Sequence, residues 1–245
     1  MDCKLFHFYP DLMSLYGSYA NVALLERHLK DLGNTVTVTR VRPGETADLS
    51  GADFLFLGAG TERSQRAAAA DLLRFGPEIK AAAADGAAML FAGTAMELLG
   101  ASVTTAGGET YPGIGLADFT ARQGTRRIVG DVYGATDLFP AAVVGFMNKC
   151  AVLSGVETPL LTSLAMGFGN EAERSPEGFH RNNVFASELT GPLLVKNPLL
   201  LGAVIAALYA RRGQPLPEHI PAYPFEEQAY AVTAQQLKLR AEAGR

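Results

Sequence analysis

The chain has 245 residues, 48% of them hydrophobic, with a net charge of -4, enough apolar material for one large core or a core with a small appended lobe. Its mild acidity, with a pI near 5.6, leaves no broad basic surface to release counterions from a nucleic acid, so the expected partner is a small molecule or a protein. Cys3 and Cys150 are the only cysteines. They form neither a CxxC pair nor a disulfide framework, which fits a reducing cytosol with each thiol as a buried apolar filler. The N-terminal apolar run is too short and polar for a signal peptide, and the stretch from Pro198 to Ala210 is too short to span a bilayer, so a soluble cytoplasmic protein is expected.

Lys4 to Phe8 reads as a first strand. A polar, glycine-bearing turn from Tyr9 to Tyr19 follows, then a helix whose Val22, Leu25, Leu29 and Leu32 recur at spacings of three and four and make one apolar stripe. Gly33 stops that helix, and Val36, Val38 and Arg40 alternate with threonines in a second strand. Phe54-Leu55-Phe56-Leu57 is a continuous apolar run before Gly58-Ala59-Gly60, the pattern of a central parallel strand buried on both faces. An alanine-rich helix from about Thr61 to Ala84 is broken near Gly76-Pro77. Ala87 to Phe91 forms the next strand, which runs into a sharp strand-to-helix turn at Ala92-Gly93-Thr94. This alternation predicts a doubly wound α/β sheet with its chemistry at the carboxyl edge.

Beyond Gly100 the pattern changes to short β-like pieces between glycines: Ser102 to Thr105, Gly113 to Thr120, Arg126 to Tyr133 and Ala142 to Phe146. They read as an antiparallel extension of the same sheet. A helix from about Asn197 to Arg211 is apolar on most faces and belongs in the core, and the charged tail from Glu226 to Arg245 reads as a surface helix or a frayed end. Residues 1–211 thus form one domain and 212–245 a charged, helical C-terminal tail.

A strand-to-helix turn presents one side chain at the sheet edge and aims backbone N–H groups at the same point, an arrangement suited to a nucleophile with an oxyanion hole. Here Ala92 occupies the place expected for the nucleophile and has no attacking atom. Thr94, two residues on, is expected to cap the helix rather than attack carbon. Cys150, after Asn148-Lys149, is the candidate replacement nucleophile, since a neighbouring ammonium can lower a thiol pKa. The imidazoles are His7 in a strand, His28 on a helix, His180 in a loop and His219 in the proline-rich tail. No metal-ligand set has plausible spacing, and the glycine turns make neither a P-loop nor a dinucleotide fingerprint.

Several segments together carry a resemblance. Tyr9-Pro10-Asp11-Leu12-Met13-Ser14-Leu15-Tyr16-Gly17 with Asn21, Leu57-Gly58-Ala59-Gly60 with Gln65, and Ala92 to Gly100 are followed in order by Gly113-Ile114-Gly115-Leu116 with Thr120, Arg127 and Gly130, by Gly145-Phe146-Met147-Asn148, by Gly167-Phe168-Gly169-Asn170, by Glu177-Gly178, and by Gly191 to Pro198. Over residues 4 to about 211 this pattern resembles the cobyric-acid-synthase type of class I glutamine amidotransferase. Within that family it is similar to the small glutaminase subunits that pair with a Mur-ligase-like protein to amidate the D-glutamate of lipid II.

The resemblance implies a flavodoxin-like, mostly parallel sheet flanked by helices. It puts the attacking cysteine of the family at Ala92 and its histidine base at Thr190, so neither half of the thiolate–imidazole pair is present. It further implies Gly58, Ala59, Gly60, Gly93 and Thr94 around the oxyanion, with methyl-bearing residues at Ala59 and Thr94 in place of the family glycines, and Arg127 and Asn148 as substrate-binding positions, with Arg126 beside them. ATP would bind the ligase partner, so this chain needs no cofactor. The leading expectation is an inactive amidotransferase-like subunit that associates with a Mur-ligase-like synthetase. The alternatives are an amino-acid sensor, holding the carboxylate of glutamine or glutamate on Arg127 and the turn's N–H groups, or an enzyme with relocated chemistry on Cys150, Thr94 or His180.

Overall fold

A computed structural model describes residues 1–218, 220–221 and 223–244; His219 lies outside the described residues. The chain begins with strand β1 (Asp2–Phe8), helix α1 (Ala20–Asp31), strand β2 (Thr35–Val41) and strand β3 (Phe54–Leu57). Helix α2 (Glu62–Leu72) follows, then α3 (Gly76–Ala84) and β4 (Ala88–Ala92). A 3-10 turn at Leu73–Phe75 separates the two helices, next to the expected break at Gly76-Pro77. Thr61 opens α2 by accepting a hydrogen bond from the Ser64 N–H at 3.1 Å, a side-chain N-cap.

Alternate residues of the central strands divide the core. Leu55, Leu57, Met89 and Phe91 enter one apolar cluster with Ala68, Leu72 and Ile79 of α2 and α3. Phe54, Phe56, Ala88 and Leu90 enter a second cluster with Leu25 and Leu29 of α1. This two-sided burial explains why β3 and β4 are continuously apolar, while β2, Thr-Val-Thr-Val-Thr-Arg-Val at the sheet edge, alternates.

After β4 come β5 (Ser102–Thr104), β6 (Thr110–Pro112), β7 (Thr120–Ala135), β8 (Val143–Ser154), β9 (Ser163–Met166), β10 (Phe179–Arg181), β11 (Val184–Ser187) and β12 (Leu189–Thr190). The chain continues through α4 (Leu193–Lys196), α5 (Pro198–Arg211) and α6 (Pro224–Ala243). The first sheet has the order β10-β11-β4-β3-β1-β2, parallel except for β10. Helix α5 contributes Leu201, Val204 and Ile205 to the core on the α1 side.

Three expectations are corrected. The β-pieces after Gly100 do not extend the first sheet but build a second one, β12-β8-β7-β5-β6, with β9 added to β7. Its backbone is a long hairpin in which β7 runs through a register shift between Gln123 and Ile128, the bulge that carries Arg126 and Arg127. Residues 113–119 are not a strand: the N–H groups of Ile114, Gly115 and Leu116 bond the carbonyls of Leu98, Gly100 and Leu99 at 2.8, 2.9 and 3.0 Å, satisfying the end of the preceding helical segment. That segment, Gly93–Leu99, is itself a 3-10 helix rather than an α-helix. Within the tail, Pro224–Ala243 forms α6, and Tyr230 Oη donates to the Ala142 carbonyl at 2.7 Å.

Candidate functional site

The strand-to-helix turn stands at the carboxyl end of β4, beside the β3–α2 loop. Ala92 is the last residue of the strand, extended at φ -113° and ψ 139°, and pairs across β11 with Ser187. The residue with the left-handed backbone is Gly93, at φ +64°. The expectation that Ala92 occupies the turn is therefore corrected by one position: Gly93 is the left-handed apex, unstrained as glycine but disfavoured for any L side chain. A Cβ added to Gly93 would lie 2.6 Å from the Ala59 Cβ.

The β3–α2 loop, Gly58-Ala59-Gly60, faces Gly93 and Thr94, and polar groups of the two segments bond one another. The Gly60 N–H donates to Thr94 Oγ1 at 3.0 Å, and that hydroxyl donates back to the Gly60 carbonyl at 3.0 Å. Thr94 thus does not cap its own helix, as its position suggested; it bridges to the facing loop. The Ala59 N–H reaches Ser18 Oγ at 3.4 Å, and the Ala59 carbonyl accepts from the Leu15 N–H at 2.9 Å. Gly58 admits the loop closely, since a Cβ there would meet the Met13 carbonyl oxygen at 2.6 Å.

Under the turn lies a buried polar network. Gln65 Nε2 donates to the Thr94 carbonyl at 2.7 Å; its Oε1 accepts from Tyr111 Oη at 3.0 Å and Gln123 Nε2 at 2.8 Å. Gln123 Nε2 also reaches Glu97 Oε2 at 2.8 Å, while Glu97 Oε1 has no partner. Burial, reinforced by the charge of Glu188, pushes the Glu97 carboxyl up to about 8. Sequence reasoning missed this group, although one acid in the apolar run Ala95-Met96-Glu97-Leu98-Leu99 was the available signal.

Because Ser187 lies opposite Ala92, the chain from Glu188 to Thr190 leaves the sheet beside the turn. Thr190 is buried, and its Oγ1 donates to the Phe146 carbonyl at 3.0 Å. Glu188 is 1% exposed and pairs with the equally buried Lys149, whose Nζ also donates to the Gly169 carbonyl at 2.8 Å. Burial raises the Glu188 pKa and Lys149 opposes that shift. This ion pair joins β8 to the segment after β11, and nothing local in either stretch announced it.

Arg127 and Asn148 meet on the β7–β8 hairpin, with Arg127 Nε donating to Asn148 Oδ1 at 3.1 Å. Asn148 Nδ2 donates to Tyr16 Oη at 2.7 Å. The Arg127 guanidinium also holds Glu62 Oε1 through both terminal nitrogens, at 2.8 and 2.6 Å. Glu62 further receives the Cys150 thiol at 3.4 Å. Burial and the Glu62 carboxylate push that thiol up to about 12, so Cys150 is held protonated, opposite to the activation that Lys149 was expected to supply. Lys149 points inward to Glu188 instead.

His180 sits on β10, against the Phe185 ring at 4.7 Å between centroids; no hydrogen bond among the described residues joins it to the turn. Its pKa is lowered by burial. His28 lies 3.6 Å from Glu226 and packs edge-on to Tyr223. Among the described residues no cluster of three His, Cys, Asp or Glu could hold a metal, and no helix is long and apolar enough to cross a membrane.

A doubly wound sheet with a glycine-loop and strand-to-helix-turn site defines the class, and the sequence match is specific: the chain belongs to the CobB/CobQ-like glutamine amidotransferase domain family, whose model matches residues 4–198. Among curated proteins it is similar to the GatD subunit of lipid II isoglutaminyl synthase (glutamine-hydrolyzing) of Staphylococcus aureus, 28% identical over 214 residues that cover 87% of each chain. The corresponding subunit of Streptococcus pneumoniae is 31% identical over 221 residues, covering 89% of this chain and 84% of that protein. A glutamine amidotransferase from Thermotoga maritima shares the fold with a TM-score of 0.50 at 10% identity, covering 98% of this chain and 94% of that one.

Proposed function

We propose that this chain is a glutaminase-incompetent subunit of a lipid II-amidating synthetase, retained for association with a Mur-ligase-like partner and not for amide hydrolysis. The partner and pathway follow from its similarity to the GatD subunits over most of both chains. The turn supports the loss of hydrolysis. Gly93, with the left-handed backbone, is taken as the vacated nucleophile position, and neither it nor Ala92 carries an attacking atom. Thr190, taken as the base position, cannot shuttle a proton as an imidazole does, and its hydroxyl is engaged with Phe146.

The observation that carries the reading is the lack of room at Gly93, where a Cβ would lie 2.6 Å from the Ala59 Cβ. A single inactivating change would leave an empty slot. Here the facing methyl stands in that space, and the Thr94 hydroxyl occupies the Gly60 N–H that would otherwise be available to an oxyanion. Nucleophile, base and oxyanion donor act as a unit, so their combined absence leaves amide cleavage near background.

The test is glutamate release from glutamine by the purified chain, alone and mixed with its Mur-ligase-like partner, alongside a binding titration between the two proteins. Association without glutamate release is the expected result. Failure to associate at micromolar concentrations would remove the subunit reading, and glutamate release would remove the incompetence.

A further inference from the structure

Helix α6 carries two apolar stripes, and the fold covers only one of them. Tyr230, Ala234, Leu237 and Ala241 recur at spacings of four and three on the side that meets the domain: Leu237 and Ala241 are buried, and the Tyr230 hydroxyl reaches the Ala142 carbonyl. Phe225, Val232 and Leu239 recur every seven residues, with Ala229 and Ala243 in the same row. At 3.6 residues per turn this second row lies about 150° round the helix from the first. It faces solvent, with Phe225, Val232 and Leu239 exposed by 85%, 59% and 53% and both alanines exposed beside them.

A groove of about 450 Å³ between α6 and β8 borders the row, where Phe225 and Ala229 are joined by Val144, Phe146 and Val195. Single apolar residues on a surface are ordinary, but a periodic row along one helix that runs into an apolar groove is a docking face. Its large side chains are placed symmetrically, Phe225 seven residues before Val232 and Leu239 seven after. A second α6 laid antiparallel on the first therefore brings Val232 against its own counterpart at a two-fold axis and each Phe225 against a Leu239, a ring against a smaller branched chain.

The charges favour the same arrangement. The first turn of α6 is acidic, with Glu226 and Glu227, while towards the other end Lys238 and Arg240 outnumber Glu242; Arg240 also pairs with Asp131 of its own chain. Antiparallel copies set the acidic end of one helix beside the net basic end of the other and oppose the two helix dipoles. Parallel copies would stack Phe225 on Phe225 and acidic end on acidic end. We propose that this face joins two copies of the chain in an antiparallel α6–α6 dimer centred on Val232. The face lies beyond residues 4–198, which carry the family match. With one helix contributed per copy, the interface is at the small end of specific interfaces, so the dimer dissociates on dilution.

The test is sedimentation of the full chain from low to high micromolar concentration, where the mass should rise towards twice 26.0 kDa. Val232→Arg places two guanidinium groups across the axis and should leave a monomer throughout, with thermal unfolding unchanged because the position is exposed. Val129→Arg, at a similarly exposed site on β7, should leave the dimer intact. The register is read by mild oxidation, with the unsubstituted chain as control. Val232→Cys should cross-link to itself, and Phe225→Cys should cross-link to Leu239→Cys in a mixture of the two, while neither of these does so alone. A monomer at every concentration, a dimer untouched by Val232→Arg, or Phe225→Cys cross-linked to itself would overturn the proposal. So would a chain that stays monomeric yet loses association with a Mur-ligase-like protein on Val232→Arg, since that result assigns the face to a different partner.

Discussion

The methyl of Ala59 stands 2.6 Å from where the side chain of Gly93 would begin. Two residues 34 positions apart, on different loops of the carboxyl edge, therefore share one volume, and only one can fill it.

A cysteine placed at Gly93 must displace Ala59 and also adopt φ +64°. Gly93→Cys should destabilise the fold by about 2–4 kcal/mol, combining overpacking with the left-handed backbone cost. Adding Ala59→Gly should recover the steric part but not the backbone part. A double-mutant cycle by urea unfolding checks this: strong positive coupling is expected, and additive effects would show that the two sites do not compete for space.

Thr94→Val keeps the shape and removes the hydroxyl. The Gly60 N–H then loses its buried acceptor, at a cost of about 1–3 kcal/mol. Urea midpoints measure the loss, and hydrogen exchange should show the Gly60 amide deprotected.

Lys149→Met should be among the most damaging single changes, about 3–5 kcal/mol, because it strands the Glu188 carboxylate in the interior. The double change Lys149→Met with Glu188→Leu should recover most of that stability. Thermal unfolding of the two variants separates an uncompensated charge from simple loss of packing.

The Glu97 carboxyl has a folded pKa of about 8 against an ordinary 4.5. Between those values the folded state binds more protons than the unfolded one, so stability is greatest below pH 4.5 as far as this group is concerned and falls as pH rises towards 8, with a limiting slope of about 1.4 kcal/mol per pH unit. Glu177, pushed up to about 7 chiefly by burial, acts in the same direction. Glu97→Gln should flatten the decline in unfolding free energy between pH 5 and 8; an unchanged slope would mean that Glu97 is ionised in the fold.

Much of this architecture was legible in the sequence because its signals are local. Phe54 to Leu57 announces a strand buried on both faces, and the spacing of Val22, Leu25 and Leu29 announces a helix on one. The apex of the turn was misplaced by one residue because the segment Ala92-Gly93-Thr94 is read by likeness of pattern, whereas the deciding quantity is which residue turns left-handed; the glycine itself was the physical clue. Likewise, Lys149 was read beside Cys150 because they are neighbours in sequence. In a strand successive side chains face opposite ways, so Lys149 turns to Glu188 and Cys150 to Glu62. The Thr94–Gly60 bridge depends on loop closure, which spacing does not reveal.

The most direct test of the central claim is glutamate release from glutamine by the natural chain mixed with the Mur-ligase-like partner proposed above, measured beside the same mixture carrying Gly93→Ala, which adds a methyl at the apex but no nucleophile. The predicted result is background release from both, with the two proteins associated. Release by the natural mixture well above background would contradict the account and show that a residue other than Ala92, Gly93 or Thr190 performs the chemistry.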